Sequence, residues 1–343
     1  MTIRILEGDC RDVLRMLPDE SVHCCVTSPP YFGLRDYGVD GQMGIEASPD
    51  EFIAGMVGVF REVRRVLRDD GTLWLNIGDS YASSGGAGWQ GKNGQRADRR
   101  FTAQRDSVAL RAAGRTPDEV KPKDLLGIPW LLAFALRADG WYLRQDIIWS
   151  KPNPMPESVT DRCTKAHEYL FLLSKSLKYY FDQASILEPA SPNTHARLSQ
   201  DVEAQIGSAR ANGGAKTNGA MKAVARGKSK AGEFGVKNNP SFAESVVLRV
   251  PERNKRSVWT VATQPFKEAH FATFPPALVE PCIKAGCPQG GVVLDPFFGA
   301  GTTGLVADRL QRNCIGIELN PAYVAIARQR IHCDAPLFAQ VTA

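Results

Sequence analysis

Residues 292–304, VVLDPFFGAGTTG, combine residue types whose spacing could form a ligand site. Gly299, Gly301 and Gly304 fit the pattern G-x-G-x-x-G between a predicted strand and a predicted helix, and the next predicted strand ends at Glu318. Such glycines allow a tight turn and close approach of the backbone to a ligand, while the acid can accept hydrogen bonds from two ribose hydroxyls. The segment predicts a site for a nucleoside-containing ligand, with a purely structural turn as the alternative.

Two nucleoside ligands compete for this loop, and Asp295 at the predicted strand end distinguishes them. A dinucleotide would place its pyrophosphate on the N-terminus of the following helix. S-adenosylmethionine has no phosphate and carries a positively charged sulfonium and an amino-acid tail. Because an anionic Asp295 suits a positive ligand better than a pyrophosphate, the residues favour S-adenosylmethionine.

Two other predicted strands also end in unusual residues. The first ends at Gly8-Asp9, and the second ends at the tetrapeptide Ser28-Pro29-Pro30-Tyr31. Taken alone, Asp9 is typical of a helix N-cap and the tetrapeptide of an ordinary proline turn. Their position beside a nucleoside-type loop makes these strand ends candidates for the functional site.

The elements that must position these residues alternate between strands and helices. Predicted strands cover 3–6, 22–27, 72–77, 141–149, 169–173, 179–181, 292–294 and 314–317. Predicted helices cover 49–68, 125–137, 274–285, 302–310 and 322–331, with a further helix after Asp9. This alternation predicts an α/β protein with a mainly parallel sheet covered on both faces. Ligands of such folds bind beyond the carboxyl ends of the strands, where Asp9, Ser28 and Asp295 are predicted to lie.

The formal charge of +5 conceals an uneven distribution. Residues 83–123 hold nine Lys/Arg against four acidic residues, and residues 190–258 hold twelve against five. The rest of the chain is therefore acidic, with a balance of −7. An acidic body with two basic segments is the pattern expected when a polyanion docks on one face, although solvated loops without a partner have the same composition.

Several classes of protein do not fit the sequence. The longest apolar stretch, 128–136, is far shorter than the roughly 20 residues of a membrane span, and no basic region followed by an apolar run opens the chain. The eight cysteines contain no CxxC pair and no His pair has helical i, i+4 spacing, so no metal site is expected. A cytoplasmic protein with reduced thiols and no membrane partner is expected.

Three motifs together resemble the amino-group DNA methyltransferases, which methylate N4 of cytosine or N6 of adenine. These are TSPPY at 27–31, DPFFGAGTTG at 295–304 and GIELNPAY at 316–323, in the order typical of the β arrangement of that family. HFATFP at 270–275 and GDC at 8–10 resemble the family segments at the methionine and adenine ends of the cofactor. The resemblance spans most of the chain except the two basic segments.

The resemblance implies a Rossmann-like class I methyltransferase fold, with a mainly parallel seven-stranded sheet, helices on both faces and a basic target-recognition insertion. It implies S-adenosyl-L-methionine as cofactor and double-stranded DNA as substrate. The cofactor-binding residues it implies are Asp9, His270, Phe271, Asp295, Pro296, Phe297, Gly299, Gly301, Thr302, Thr303, Glu318 and Asn320. The catalytic residues it implies are Ser28, Pro29, Pro30 and Tyr31.

The chemistry of an exocyclic amino group explains the tetrapeptide. Its nitrogen is a poor nucleophile because the lone pair is delocalised into the base. The Ser28 hydroxyl and the Pro29 carbonyl would accept hydrogen bonds from this group, and Tyr31 would stack on a base flipped out of the duplex. Serine at the first position goes more often with N4 of cytosine in the family, so cytosine is favoured and N6 of adenine stays the alternative.

The domain prediction places the catalytic domain at 1–185 and 258–343, with 83–123 as a mobile basic DNA-contacting loop. Residues 186–257 are predicted to form the target-recognition insertion, whose Arg and Lys would hold phosphates. The resemblance further implies a bacterial or phage-encoded enzyme and leaves open a homodimer and a cognate restriction endonuclease. An NAD(P)-dependent oxidoreductase built on the same glycine loop and a non-catalytic DNA-binding protein are the remaining alternatives.

Overall fold

The computed structural model describes residues 1–34, 37–82, 121, 123–190, 252–264, 266, 274–334 and 340–342. Most of the predicted basic loop 83–123 and of the predicted insertion 186–257 therefore lies outside the described residues. The chain divides into two compact units, residues 1–185 with 256–343 and residues 186–255. In the second unit, the described residues form a two-residue antiparallel ladder between Glu188–Pro189 and Glu252–Arg253, and Lys255 donates to Glu188 at 3.2 Å.

The first unit is built on a mostly parallel sheet in which nine strands are described, in the order β11-β1-β10-β9-β2-β3-β5-β4-β8. Its strands are β1 Thr2–Glu7, β2 Val22–Thr27, β3 Leu67–Ile77, β4 Tyr142–Ser150, β5 His167–Ser174, β8 Val258–Thr260, β9 Val292–Asp295, β10 Asn313–Glu318 and β11 Gln340–Thr342. The two-residue strands of the second unit are β6 and β7. Within the nine-stranded sheet, β5 runs antiparallel to β3 and β4, while the other described pairs are parallel.

Helices cover both faces of this sheet, as the sequence predicts. They are α1 Cys10–Met16, α2 Pro49–Val66, α3 Ile128–Ala138, α4 Pro276–Gly286, α5 Thr302–Arg309 and α6 Pro321–Asp334. Helices α1, α2 and α3 pack together on one face, and α4, α5 and α6 pack together on the other. Cys24 and Cys25 show the two faces: Cys25 joins the core under α1–α3, whereas Cys24 lies beneath Gly286 of α4.

Helix α2 illustrates how local sequence determines these elements. The Ser48 hydroxyl accepts from the Glu51 backbone amide at 3.2 Å, and the Glu51 carboxylate accepts from the Ala47 amide at 3.1 Å. Pro49 occupies the first turn, where its missing amide hydrogen has no cost. The apolar stripe that begins with Phe52 is buried, so the predicted helix is confirmed, although it ends at Val66 because β3 begins at Leu67.

Two predictions about the sheet are wrong. The expected seven strands become nine in the described part of the chain, because β8 and β11 are three-residue edge strands without an apolar run to predict them. Residues 179–181 do not form a strand. There, the Phe181 ring stacks on Trp74 at 6.2 Å and the Tyr180 amide donates to the Asp70 carbonyl at 2.8 Å, so this segment packs on the sheet without joining a ladder.

The strand order places the carboxyl ends of β1, β10, β9 and β2 side by side. Glu7 is opposite Glu318, Gly316 is opposite Asp295, and β2 pairs with β9 just before Thr27. The residues predicted for the site follow these four strands, which brings them to one edge of the sheet. Among the described residues, no helix is long and apolar enough to cross a membrane.

Candidate active site

A cavity of about 1330 Å³ opens at this edge of the sheet. It brings together eleven of the residues predicted from sequence, which come from both the N-terminal and the C-terminal motifs. They are Asp9, Ser28, Pro29, Pro30, Tyr31, Pro296, Phe297, Gly299, Thr302, Glu318 and Asn320. Asp295, Gly301 and Thr303 lie behind the cavity wall, and His270 and Phe271 are outside the described residues.

The glycine loop between β9 and α5 requires glycine at two positions for conformation. Gly299 and Gly301 have φ values of +52° and +76°, in the left-handed region that L side chains rarely adopt. A Cβ atom on Gly301 would lie 2.9 Å from the Cβ of Ala327, whereas one on Gly299 would meet no atom closer than 4.0 Å. Gly301 therefore lets α6 pack on the loop, and Gly299 leaves an open place on the cavity wall.

Asp295 holds the start of this loop from inside the protein. Its fully buried carboxylate accepts from the hydroxyls of Thr27 and Thr303, both at 2.6 Å, and from the Phe297 amide at 3.1 Å. Burial raises the pKa of Asp295 to about 6, although the two hydroxyls partly oppose this by stabilising the charge. Its predicted contact with a positive ligand stays a prediction.

Two further acids lie on the cavity wall. Glu318 accepts from the Gly299 amide at 2.7 Å and from the Asn320 amide at 2.8 Å, and burial raises its pKa. Asp9 caps the N-terminus of α1, and its carboxylate accepts hydrogen bonds from the guanidinium of Arg11. Burial opposes ionisation of Asp9, but the hydrogen bonds and the charge of Arg11 together outweigh it and lower the pKa of Asp9. Asp9 is therefore ionised at neutral pH, and it is both helix cap and cavity wall.

The tetrapeptide after β2 packs closely against two glycines from other segments. A Cβ atom on Gly78 would lie 2.6 Å from the Tyr31 ring, and one on Gly44 would lie 3.0 Å from the Tyr31 carbonyl oxygen. These glycines therefore leave the space that the ring and the turn occupy. Burial raises the pKa of Tyr31 well above its ordinary value, so its hydroxyl keeps its proton.

A polar network that the sequence analysis missed lies behind Ser28 and Tyr31. Tyr31 donates to Glu168 at 2.7 Å and its hydroxyl oxygen lies 3.2 Å from the side-chain oxygen of Asn76, to which Ser28 donates at 3.3 Å. Lys151 donates to the other oxygen of Glu168 and lies 4.3 Å from the centre of the Trp149 ring. The network joins the tetrapeptide to β3, β4 and β5.

The missed residues did leave a signal in the sequence. Asn76 is a single polar residue inside the apolar run LWLNI, and it is fully buried. Glu168 precedes the apolar run YLFLL of β5. A polar residue in a strand that is otherwise buried needs a partner, which marks both positions for attention. The identity of their partners depends on which strands pair, and the sequence does not specify that.

Charge is unevenly distributed around the cavity. Among the described lining residues, the basic side chains all come from one segment next to the tetrapeptide, where the acids Asp79, Glu157 and Glu168 also line the cavity. The basic residues are Lys151, Arg162 and Lys165. The glycine loop side carries Glu318 and Asp9, of which Asp9 is paired with Arg11, and no Lys or Arg lines the cavity there in the described part of the chain. An acidic wall of this kind suits a cationic ligand better than a pyrophosphate.

Comparisons with known proteins agree with this geometry. The family model described as DNA methylase, of the N6 and N4 type, matches residues 22–329. The Type II methyltransferase M.SmaI of Serratia marcescens is 44% identical over 96% of this chain and 90% of its own length. The Type II methyltransferase M.Cfr9I of Citrobacter freundii is 45% identical over 95% of this chain and 87% of its own.

Two solved structures have a similar fold. A Thermus thermophilus protein assigned as a DNA modification methylase, solved with S-adenosyl-L-methionine, matches with a TM-score of 0.56 and 22% identity over 99% of this chain and 98% of its own. The PvuII DNA methyltransferase, which is cytosine-N4-specific, matches with a TM-score of 0.57 and 16% identity over 97% and 92%. At these identities the likeness concerns the fold alone.

Proposed function

Because the chain belongs to the DNA methylase family of N6 and N4 amino-group methyltransferases, we propose that it methylates N4 of cytosine in double-stranded DNA. That family uses S-adenosyl-L-methionine, so the oxidoreductase alternative loses its support. The observation that carries the proposal is that the Ser28–Tyr31 turn and the glycine loop line one cavity. A methyl donor and an acceptor base must meet in one place, and this cavity has a wall suited to each.

The cofactor fits the glycine loop side of the cavity. We assign the contacts there to Asp9, Pro296, Phe297, Gly299, Thr302, Glu318 and Asn320, which line the wall. Gly299 offers an open place without a side chain, and two carboxylates suit a ligand that is positive and carries ribose hydroxyls. Asp295, Gly301 and Thr303 would hold this wall from behind, while the roles of His270 and Phe271 stay predictions from the resemblance. When bound, S-adenosyl-L-methionine supplies a methyl group activated by the positive sulfur.

The target base would occupy the side formed by the tetrapeptide. The Ser28 hydroxyl and the Pro29 carbonyl would accept hydrogen bonds from the amino group, which directs its nitrogen lone pair out of the ring. Tyr31 would stack on the flipped base. Its hydroxyl is fixed by the hydrogen bond to Glu168, and its ring fits against Gly78, which has no side chain to displace it. Pro30 stiffens the turn, because the ring of proline restricts φ.

Serine at the first tetrapeptide position supports cytosine over adenine. The experiment is expression in a host that lacks amino-methylated bases, followed by nucleoside mass spectrometry of its DNA. We expect N4-methylcytosine, and we expect a strongly reduced amount of it with Ser28→Ala. N6-methyladenine would overturn the choice of base but not the methylase assignment. Absence of any methylated base with a folded, cofactor-binding protein would overturn the proposal.

Duplex DNA would be held by the basic segments 83–123 and 186–257, the second as the target-recognition insertion. Their excess of Lys and Arg supports this, since phosphate contacts release counterions. Affinity for duplex DNA should therefore fall steeply between about 50 and 200 mM salt, and salt-independent binding would contradict phosphate contacts. A cytoplasmic location, a homodimer and a cognate restriction endonuclease are further proposals from the resemblance, and light scattering tests the dimer.

A further inference from the structure

The Ser28 hydroxyl can assist methyl transfer only if it presents a lone pair, and not its proton, to the amino group of the target base. We propose that Asn76 is a positioning residue that fixes this orientation by accepting the Ser28 proton in a hydrogen bond. The proposal rests on the function proposed above and adds a residue from β3 to it. Asn76 is fully buried and comes from a different strand than the tetrapeptide.

The orientation of the Asn76 amide follows from a neighbour that can only accept. Its nitrogen lies 3.1 Å from the carbonyl oxygen of Tyr169 and 3.4 Å from a carboxylate oxygen of Glu168. A backbone carbonyl has no proton to donate, so the side-chain NH₂ group must face it. The side-chain oxygen of Asn76 is thereby directed toward Ser28 and Tyr31.

A hydroxyl has one proton and two lone pairs, and the Asn76 oxygen determines where the proton goes. Ser28 Oγ lies 3.3 Å from this oxygen, which has no proton of its own. When the hydroxyl donates to Asn76, both of its lone pairs stay available to the cavity that Ser28 lines. A hydroxyl rotated the other way would aim its proton at the hydrogens of the amino group and oppose binding of the base.

Tyr31 depends much less on Asn76 than Ser28 does. Its hydroxyl donates to Glu168 at 2.7 Å, a shorter and charge-assisted bond, while its distance to the Asn76 oxygen is 3.2 Å. Glu168 is in turn held by Lys151, with which it forms an ion pair. Loss of the Asn76 amide should therefore act on catalysis through Ser28, and this selectivity is what an experiment can measure.

The first test is a pair of double-mutant cycles on single-turnover methyl transfer from tritiated S-adenosyl-L-methionine to unmodified genomic DNA. We expect Asn76→Ala to lower the rate about 10- to 100-fold, as for a misplaced catalytic group. In a Ser28→Ala background, the same substitution should change the rate less than about twofold, because its target is gone. In a Tyr31→Phe background, which keeps the stacking ring, the full loss should persist. A full loss in the Ser28→Ala background would overturn the proposal.

The second test compares two substitutions of similar size, Asn76→Asp and Asn76→Leu. The aspartate keeps an oxygen that accepts from Ser28 but places a carboxyl group beside Glu168. The aspartate variant should therefore have a lower melting temperature than the leucine variant. The charged groups facing this position are Glu168 on β5 and, beyond it, Lys151 and Lys165. We expect the less stable aspartate variant to be at least about tenfold more active than the leucine variant. Activities that follow the melting temperatures would mean a merely structural role.

Failure of this inference can be distinguished from failure of the proposed function. If Ser28→Ala alone leaves methyl transfer unchanged, the catalytic assignment of the tetrapeptide is wrong. If Ser28→Ala lowers the rate of transfer and Asn76→Ala lowers it further by an independent factor, only the role of Asn76 is wrong. Binding of S-adenosyl-L-methionine by calorimetry and the melting temperature together serve as the folding control for every variant.

Discussion

The two sides of the cavity are held together in different ways. On the glycine loop side, most polar contacts join residues close in sequence, such as Gly299 with Glu318 across 19 positions and Thr303 with Asp295 across 8, and one long-range contact joins Asp295 to Thr27 across 268. On the tetrapeptide side, Ser28 reaches Asn76 across 48 positions and Tyr31 reaches Glu168 across 137. One wall is mainly a local structure of a strand, a turn and a helix, with Thr27 of β2 as its distant anchor, and the other is assembled from four strands.

This difference implies that substitutions on the two sides of the cavity have different effects. Substitutions in the glycine loop should act locally, on the ligand that its backbone approaches. Substitutions in β3, β5 or the segment after β3 should reach the catalytic turn from a distance, because the turn depends on their side chains or on the space they leave. Four predictions test this contrast, beginning with the largest expected effect.

Gly78→Val should abolish most activity while leaving cofactor binding intact. A Cβ atom at this position would lie 2.6 Å from the Tyr31 ring, so the ring must move. Displacement of a group by about 1 Å can cost about 100-fold in rate. Methyl-transfer kinetics measure the loss, and calorimetric titration with S-adenosyl-L-methionine measures binding. Gly58→Ala is the control, because a Cβ atom there meets nothing within 4 Å. An active Gly78→Val variant would contradict the requirement for a fixed ring.

Glu168→Gln should destabilise the fold by about 2 kcal/mol, since it leaves Lys151 partly buried without its counter-charge. The two side chains are only 15% and 17% exposed, so solvent compensates little for the lost partner. Urea unfolding measures the change. Asp161→Asn, which breaks the exposed pair with Lys123, is the matched control and should leave stability unchanged. Equal effects of the two substitutions would show that the Glu168 pair behaves as a surface pair.

Gly301→Ala should weaken S-adenosyl-L-methionine binding about tenfold with little effect on the tetrapeptide side. The residue has a φ of +76° and its new Cβ would lie 2.9 Å from the Cβ of Ala327, so the loop must shift. Gly290→Ala is the control for strain alone, because Gly290 has a φ of +75° and open space around it. An unchanged Kd in the Gly301→Ala variant would mean that the loop does not set cofactor affinity.

Asp295→Asn should remove a small pH dependence of stability. The pKa of Asp295 is about 6 in the folded protein against 3.8 ordinarily, so between these values the folded state keeps a proton that the unfolded chain has lost. Stability therefore falls as the pH rises through this window and stays lowered above it. Relative to the variant, the wild-type protein should lose about 1 kcal/mol between about pH 5 and pH 8. If the difference in unfolding free energy between the wild-type protein and the variant, measured with urea, is the same at both pH values, the raised pKa is contradicted.

The same contrast explains what the sequence could predict. The glycine loop, its flanking strand and helix and the acid that follows are contiguous, so their spacing predicts both the structure and the ligand class. The stripe beginning at Phe52 similarly predicts α2. Asn76 and Glu168 become neighbours only because β3 pairs antiparallel with β5, at Asn76 opposite Leu170. Pairing partners depend on the whole fold, and short edge strands such as β8 and β11 lack the apolar periodicity that a prediction needs.

The end of β2 has a consequence for how such an enzyme can diversify. Thr27 bonds to Asp295 beneath the glycine loop, and the next residue, Ser28, belongs to the proposed catalytic turn. One residue of strand, about 3.3 Å, thus separates the anchors of the two walls. A one-residue slip of β2 would turn the side chains of Thr27 and Ser28 to the wrong faces. The distance between the methyl donor and the acceptor base would therefore be set by the strand itself. We therefore expect new recognition sequences to arise in the proposed target-recognition segment 186–257, whose changes would leave this spacing as it is.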